Sequence, residues 1–165
     1  MIQKTLIILK PDTVSRWLIG EIISRFERAG LHLAGIKMTH PDKDFYHHHY
    51  ETISKMISRR WQHAFDSVVD FMMTSPVVAM VWEGIEAVEV VRKIVGPTEP
   101  KSAPIGTIRG DYAHISFTHA DEKASWLPNL VHASGNSEEA SQEVKHRFSD
   151  VELFHYDTSH KKFTQ

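Results

Sequence analysis

The uninterrupted apolar run Val77-Val78-Ala79-Met80-Val81-Trp82 is the strongest constraint this chain places on its own fold. Successive side chains of a strand point to opposite faces, so a strand with one wet face alternates apolar and polar residues, and a run with no polar member reads as a strand covered on both. Residues 2–9, Ile-Gln-Lys-Thr-Leu-Ile-Ile-Leu, are rich in β-branched side chains and become continuous toward their end, which predicts a second central strand. With 165 residues, 41% hydrophobic and 24% charged, the chain can build one domain around this pair and requires no second.

Helical spacing fills the intervals between strands. Lys10-Pro11-Asp12 stops the first strand. Val14, Trp17, Leu18, Ile22, Phe26 and Ala29 then recur as one apolar stripe up to Gly30, which suits the left-handed position that ends a helix. Residues 31–39 alternate through Leu31, Leu33, Ile36 and Met38, with a phase slip at Gly35 that predicts a bulged strand. The segment from Pro41 to about Trp61 predicts one or two short helices, and Phe65, Val68, Val69 and Met72 mark another. After residue 82 a helix runs through Ala87, Val88, Val91 and Ile94 to Gly96-Pro97. Residues 97–128 hold four of the seven prolines and show no sustained period, so a long irregular excursion is expected there. The last strand ends at His132. Asn136 then caps a helix that carries Ala140, Val144 and Phe148 on one face, with Glu139 as the reciprocal capping partner.

The order β-α-β-(α-α)-β-α-loop-β-α has the character of an α+β, ferredoxin-like split βαβ fold: a four-stranded antiparallel sheet with helices on one face. One domain over residues 1–148 and a polar tail over 149–165 draped on its surface complete the expectation. A formal net charge of -2 gives no global basic field, which disfavours nucleic acid as a partner. The absence of cysteine excludes disulfides and thiolate metal ligands. The apolar run Leu6–Leu9 is too short for a signal sequence or a membrane span, so a soluble cytoplasmic protein is expected.

Among twelve histidines, His132 is set apart by its place at a strand end before a small polar turn. Histidine is the side chain whose ordinary pKa leaves much of it neutral and nucleophilic near pH 7, so a fixed imidazole can accept a group and pass it on. Glu143 lies three residues beyond Ala140, near the edge of the buried stripe, from where a carboxylate can reach His132, fix its tautomer and free the other nitrogen; a solvated helix glutamate is the alternative. Lys10, Arg92, Lys93 and Arg109 lie where strands and helices end, and Arg109 sits inside Gly106-Thr107-Ile108-Arg109-Gly110-Asp111. Such cations suit phosphate oxygens, although each alone is more often a solvated surface charge. Adjacent residues of a helix point about 100° apart, so His47-His48-His49 cannot all converge on one ion, and no protein-built metal site is expected.

Taken together, Asn129-x-x-His132-x-Ser134 with Glu143 downstream, Lys10-Pro11-Asp12, the stretch from Ser75 to Gly84 and Gly106–Asp111 resemble the nucleoside diphosphate kinase family over about residues 3–148. The resemblance implies a ping-pong reaction in which a nucleoside triphosphate gives its γ-phosphoryl group to His132 and the phosphohistidine gives it to a nucleoside diphosphate. It places Lys10 on the terminal phosphate and ribose hydroxyls, Tyr50 beside the phosphorylated histidine, and Arg92, Thr98 and Arg109 on the α- and β-phosphates. Asn129 falls on the sugar 3′-hydroxyl, and Ser134 and Glu143 orient the imidazole. It further implies Mg²⁺ carried by the nucleotide phosphates, broad nucleotide use, and a homo-oligomer, either a hexamer or a tetramer of dimers. The alternative is a catalytically silent nucleotide-binding or regulatory module, opposed by the presence of every one of these groups.

The chain departs from the family pattern in three places. Ala64 stands where a base-stacking aromatic is usual, leaving Trp61 or Phe65 to take that role or the stacking weaker. The segment between Asp111 and Asn129 is longer than in compact members. The turn after the histidine reads Ala133-Ser134-Gly135, and Ile105 replaces a common proline or alanine.

Overall fold

The computed structural model describes residues 1–53, 62–123 and 125–164. Strands β1 (Ile2–Leu9), β2 (His32–Thr39), β3 (Val77–Ile85) and β4 (Val131–Ala133) form one antiparallel sheet in the order β2-β3-β1-β4. The two continuous apolar runs thus occupy the two central positions. Between the strands lie α1 (Pro11–Ser15), α2 (Ile19–Arg28), α3 (Lys43–His47) extended by a π-helical turn (His48–Ile53), α4 (Gln62–Met72) and α5 (Ala87–Val95). The four-stranded antiparallel arrangement is the expected ferredoxin-like one.

Helices cover both faces of the sheet, not one. Leu6 and Ile8 of β1 and Val77, Ala79 and Val81 of β3 pack with Tyr46, Phe65, Val68, Val69, Met72, Val144 and Phe148. Ile7 and Leu9, with Val78, Met80 and Trp82, pack on the opposite side with Ile22, Phe26, Val91, Val95 and Ile108. The reason is the same absence of alternation that identified the strands: each presents large apolar side chains both ways, and either face left wet would expose them.

The apolar stripe from Val14 to Ala29 is interrupted. Trp17 is 92% exposed with φ 58°, and Ala29 is exposed as well. The Trp17 amide donates to the Val14 carbonyl and the Leu18 amide to that of Thr13, the paired bonds of a Schellman ending. The chain therefore stops α1 at Ser15 and restarts as α2. Gly30, at φ 81°, closes α2 by the same pair of bonds, to Glu27 and Phe26.

The predicted bulge is present: the β2–β3 register shifts between Leu33 and Gly35. Ala34, displaced from the ladder, accepts from the Phe154 amide at 2.8 Å. The residues beyond 148 are thus tied to β2, with Tyr156 Oη donating to the Leu33 carbonyl and Lys37 paired with Glu152. A Cβ at Gly35 would lie 2.8 Å from the Glu152 carbonyl, so the close approach of this tail requires glycine there.

The excursion over 97–128 is less irregular than its sequence. It contains a 3₁₀ turn (Pro100–Ser102), α6 (Ile108–Tyr112) and α7 (Phe117–Glu122), the last two capped by the Thr107 and Ser116 hydroxyls. Too short to show a period, they are held by caps and not by an apolar stripe. It ends at Leu130, fully buried with φ 69°. The Leu130 amide donates to Asp12 Oδ2, and its carbonyl accepts from the Lys10 amide and from Thr13 Oγ1 at 2.6 Å. A left-handed leucine is costly and persists only where surrounding bonds over-determine it. The three bonds pin the entrance of β4 to the end of β1. Helix α8 (Ser137–Arg147) follows, and no helix among the described residues is long and apolar enough to cross a membrane.

Candidate active site

The register of β4 decides which way its histidine points. His132 pairs with Ile8, and directly opposed residues of an antiparallel pair share a face, so its side chain falls on the side covered by α3, the π-helical turn and α8. From α8, Glu143 meets it. The His132 Nε2 lies 3.0 Å from Glu143 Oε1 and 3.1 Å from Oε2. An ionised carboxylate only accepts, so Nε2 carries the proton and Nδ1 keeps its lone pair. Ser134 acts one step removed: its hydroxyl donates to Glu143 Oε2 at 2.6 Å, and it receives the Leu6 amide. Glu143 is therefore a buried carboxylate, not a solvated one. Burial works to raise its pKa, but the positive charge that His132 takes up in acid and its hydrogen bond, then the charge of a protonated His49 and the Ser134 hydrogen bond, outweigh it and hold the carboxyl at about 2.

His49 is the member of the histidine run that reaches this site. Its ring centroid is 5.1 Å from that of His132 and its Nε2 is 3.8 Å from Glu143 Oε1. It is buried with no hydrogen bond at either nitrogen among the described residues, and burial followed by repulsion from His132 lowers its pKa well below the ordinary value, keeping it neutral. Tyr50, also buried, stands with its ring centroid 6.5 Å from that of His132, edge-on. Ligand atoms of His49, His132 and Glu143 lie within 4.8 Å of one another. Both carboxylate oxygens are already occupied by His132 and Ser134, so a cation there would have to displace the bonds that aim the imidazole.

The exposed 17% of the His132 side chain opens on a cavity of about 430 Å³. Lys10, Tyr50, Arg92, Thr98, Arg109, Asn129 and His132 all line it, so seven of the nine expected site residues share one wall; Ser134 and Glu143 stand behind the imidazole. Lys10 Nζ donates to Asn129 Oδ1 at 2.7 Å, and Asn129 Nδ2 donates to the Thr98 carbonyl at 2.8 Å. Arg109 donates to the carbonyls of Asn129, Gly96 and Val131, which ties its helix to both edges of the cavity. Burial, then the Arg109 charge, lowers the Lys10 pKa to about 7, and burial, then Arg92, lowers that of Arg109 to about 10. Cations held close enough to oppose one another's charge form a site that an anion stabilises.

One lining residue was not signalled by the sequence. Trp126, at the end of the long segment, puts its indole over Lys10, with Nζ 4.8 Å from the ring centroid. A residue in an aperiodic loop carries no pattern that says where its side chain points. Phe65 does not serve as a stacking aromatic, because it is fully buried in the core against His47. Trp61 and the side chain of Ala64 lie outside the described residues.

The match to known proteins is extensive. The family model described as nucleoside diphosphate kinase matches residues 3–153. A nucleoside diphosphate kinase of Borreliella burgdorferi is 43% identical, covering 94% of this chain and 93% of its own, and one of Pyrococcus abyssi is 46% identical over 93% of this chain and 89% of its own. A Borrelia burgdorferi nucleoside diphosphate kinase structure, a transition state mimic with bound vanadate and ADP, superposes with a TM-score of 0.93 at 42% identity, covering 97% of this chain and 95% of that one. A silent binding module is not favoured by these relatives, which carry the enzyme's name. With the cavity, the cations and the oriented histidine, the chain belongs to the nucleoside diphosphate kinase family, whose members pass the terminal phosphoryl group of a nucleoside triphosphate to a nucleoside diphosphate.

Proposed function

We propose that His132 is the phosphoryl carrier and Nδ1 the attacking atom. The observation that carries this reading is the pairing of Nε2 with Glu143, which fixes the proton on the far side of the ring and leaves the other nitrogen beside the cation-lined cavity. The Nδ1 lone pair forms the N–P bond while the bond from the γ-phosphorus to the bridging oxygen breaks, releasing a nucleoside diphosphate. In the return half, a terminal oxygen of an acceptor diphosphate attacks the same phosphorus and the N–P bond breaks. Lys10 meets the transferred group, Arg92, Thr98 and Arg109 receive the remaining phosphates, and Asn129 the sugar. Tyr50 packs beside the ring, and Ser134 acts through Glu143. Charge neutralisation and in-line positioning are what this transfer needs from a protein.

Mg²⁺ enters with the nucleotide. The cavity wall is dominated by Lys10, Arg92 and Arg109, and its carboxylate, Glu139, is engaged by the Gly135 amide and Asn136 Nδ2, so the donor set suits a metal already coordinated by phosphates. Bound with the phosphates, such a cation would supply charge shielding, while Lys10, Arg92 and Arg109 are the chain's own groups for that charge.

The edge strand β2 exposes Ile36 and Met38, and Ile105 is also exposed, which supports a homo-oligomer, a hexamer or a tetramer of dimers; light scattering gives the size. The cysteine-free sequence and nucleotide substrates fit the cytoplasm.

Incubation with γ-labelled ATP tests the carrier. The expected label is destroyed by acid, survives alkali, is discharged by GDP and is absent from His132→Asn. Label that persists on that variant overturns the assignment.

A further inference from the structure

The long segment before β4 does more than connect. Trp126 and Asn129, three residues apart on it, both touch the Lys10 ammonium: Asn129 Oδ1 accepts one proton at 2.7 Å, and the indole face lies 4.8 Å from Nζ. Lys10 is itself buried, so its four-carbon stem has no freedom to find phosphate by wandering in water. Two of the directions from the ammonium are taken by these contacts, and the residue lines the cavity in which phosphate is to be met. The indole is seated from behind as well, since Trp126 packs against the core on the His132 face; its buried Nε1 has no hydrogen-bond partner among the described residues.

We infer that Trp126 is a positioning residue for the transfer reaction, its indole face and Asn129 together fixing the Lys10 ammonium toward the nucleotide cavity. The inference rests on the role proposed above for Lys10. An aromatic face attracts a cation through its quadrupole, while an aliphatic side chain of similar bulk fills the space and gives no such attraction. That difference separates positioning from mere filling. A Trp126→Leu variant keeps an apolar cover over Lys10 and loses the π face; Trp126→Phe keeps the face and loses the indole N–H.

The expected result is a fall in kcat/KM of about tenfold in Trp126→Leu, carried mostly by KM, and a value within about threefold of the parent in Trp126→Phe. Measured on protein carrying ε-¹³C-lysine, the Lys10 pKa should fall in Trp126→Leu and return in Trp126→Phe, because only a ring face favours the charged ammonium. This titration is read without turnover, so it tests the contact even if no phosphoryl transfer were found. Equal losses in the two variants, or an unchanged kcat/KM and Lys10 titration in a Trp126→Leu protein whose urea midpoint matches the parent, would overturn the inference.

Discussion

At the scale of single residues, the site turns on one buried carboxylate. Glu143 accepts from His132 and Ser134 at once, so its charge both selects the imidazole tautomer and fixes the ring direction. Glu143→Gln keeps the shape and removes the charge. It should lower kcat by on the order of 10²-fold with little change in ADP affinity by calorimetry, since ring orientation matters chiefly in the transition state. A second readout follows from the carboxyl being held at about 2 against an ordinary 4.5. A group whose folded pKa is depressed contributes stability above its unfolded value, and that contribution drains away as pH falls from about 4.5 toward 2. The parent urea midpoint should therefore drop between pH 5 and pH 3 more steeply than that of Glu143→Gln. An equal slope would mean that the carboxylate is not held by its partners. Glu143 was legible in the sequence because helical spacing put it near a stripe that the sheet must cover. His49 and Trp126 were not, since each is defined by a partner far along the chain and sits in a stretch without a period.

At the scale of elements, α1 and α2 share one apolar stripe in sequence and are two helices in the structure. Both end in the Schellman pair of bonds, one with Gly30 at the left-handed position and one with Trp17. Only the first carries the residue that normally marks such an ending, which is why the break at Trp17 could not be read. A non-glycine residue there costs about 1–2 kcal/mol, of which glycine's larger unfolded-state entropy would return about 0.5–1. The Trp17 side chain is 92% exposed and loses little packing when removed. Trp17→Gly should consequently stabilise the protein by roughly 0.5–1 kcal/mol, seen as a melting temperature higher by about 1–4 °C. A lower melting temperature would show that the indole is bound elsewhere in the assembled protein. The bulge in β2 shows the opposite case: a phase slip at Gly35 in an alternating run is a local signal, and the structure carries the irregularity one residue earlier, at Ala34.

At the scale of the whole molecule, the central strands were readable from their lack of alternation, and the same lack called for a cover on each face, whereas the order of elements had suggested helices on one. Counting apolar positions on both sides of β1 and β3 demands two layers; the order of elements alone is equally consistent with one. The same reasoning assigns a task to the carboxy-terminal tail. Its polar composition reads as surface drape, but the bulge leaves the Ala34 carbonyl outside the ladder, and Phe154 satisfies it while Leu153 packs on the core beside Phe148. We propose that residues 1–148 carry catalysis and that residues 149–157 buttress the β2 edge. Ending the chain after residue 148 would remove the Phe154 and Tyr156 bonds to β2 and the Leu153 contact. One hydrogen bond is worth about 1 kcal/mol and a partly buried leucine about 1–1.5, so the loss should be about 2–4 kcal/mol in urea unfolding. Ending it after residue 157 removes the half-buried Thr158 and the exposed residues 159–163, with the short helix α9 (Lys161–Thr164), and should cost less than about 0.5 kcal/mol. Both truncated proteins should still take label from γ-labelled ATP at His132, because β4, α8 and every cavity residue remain. If the shorter chain unfolds at the parent midpoint, the tail is a passive drape; if it folds but takes no label, the catalytic unit extends past residue 148.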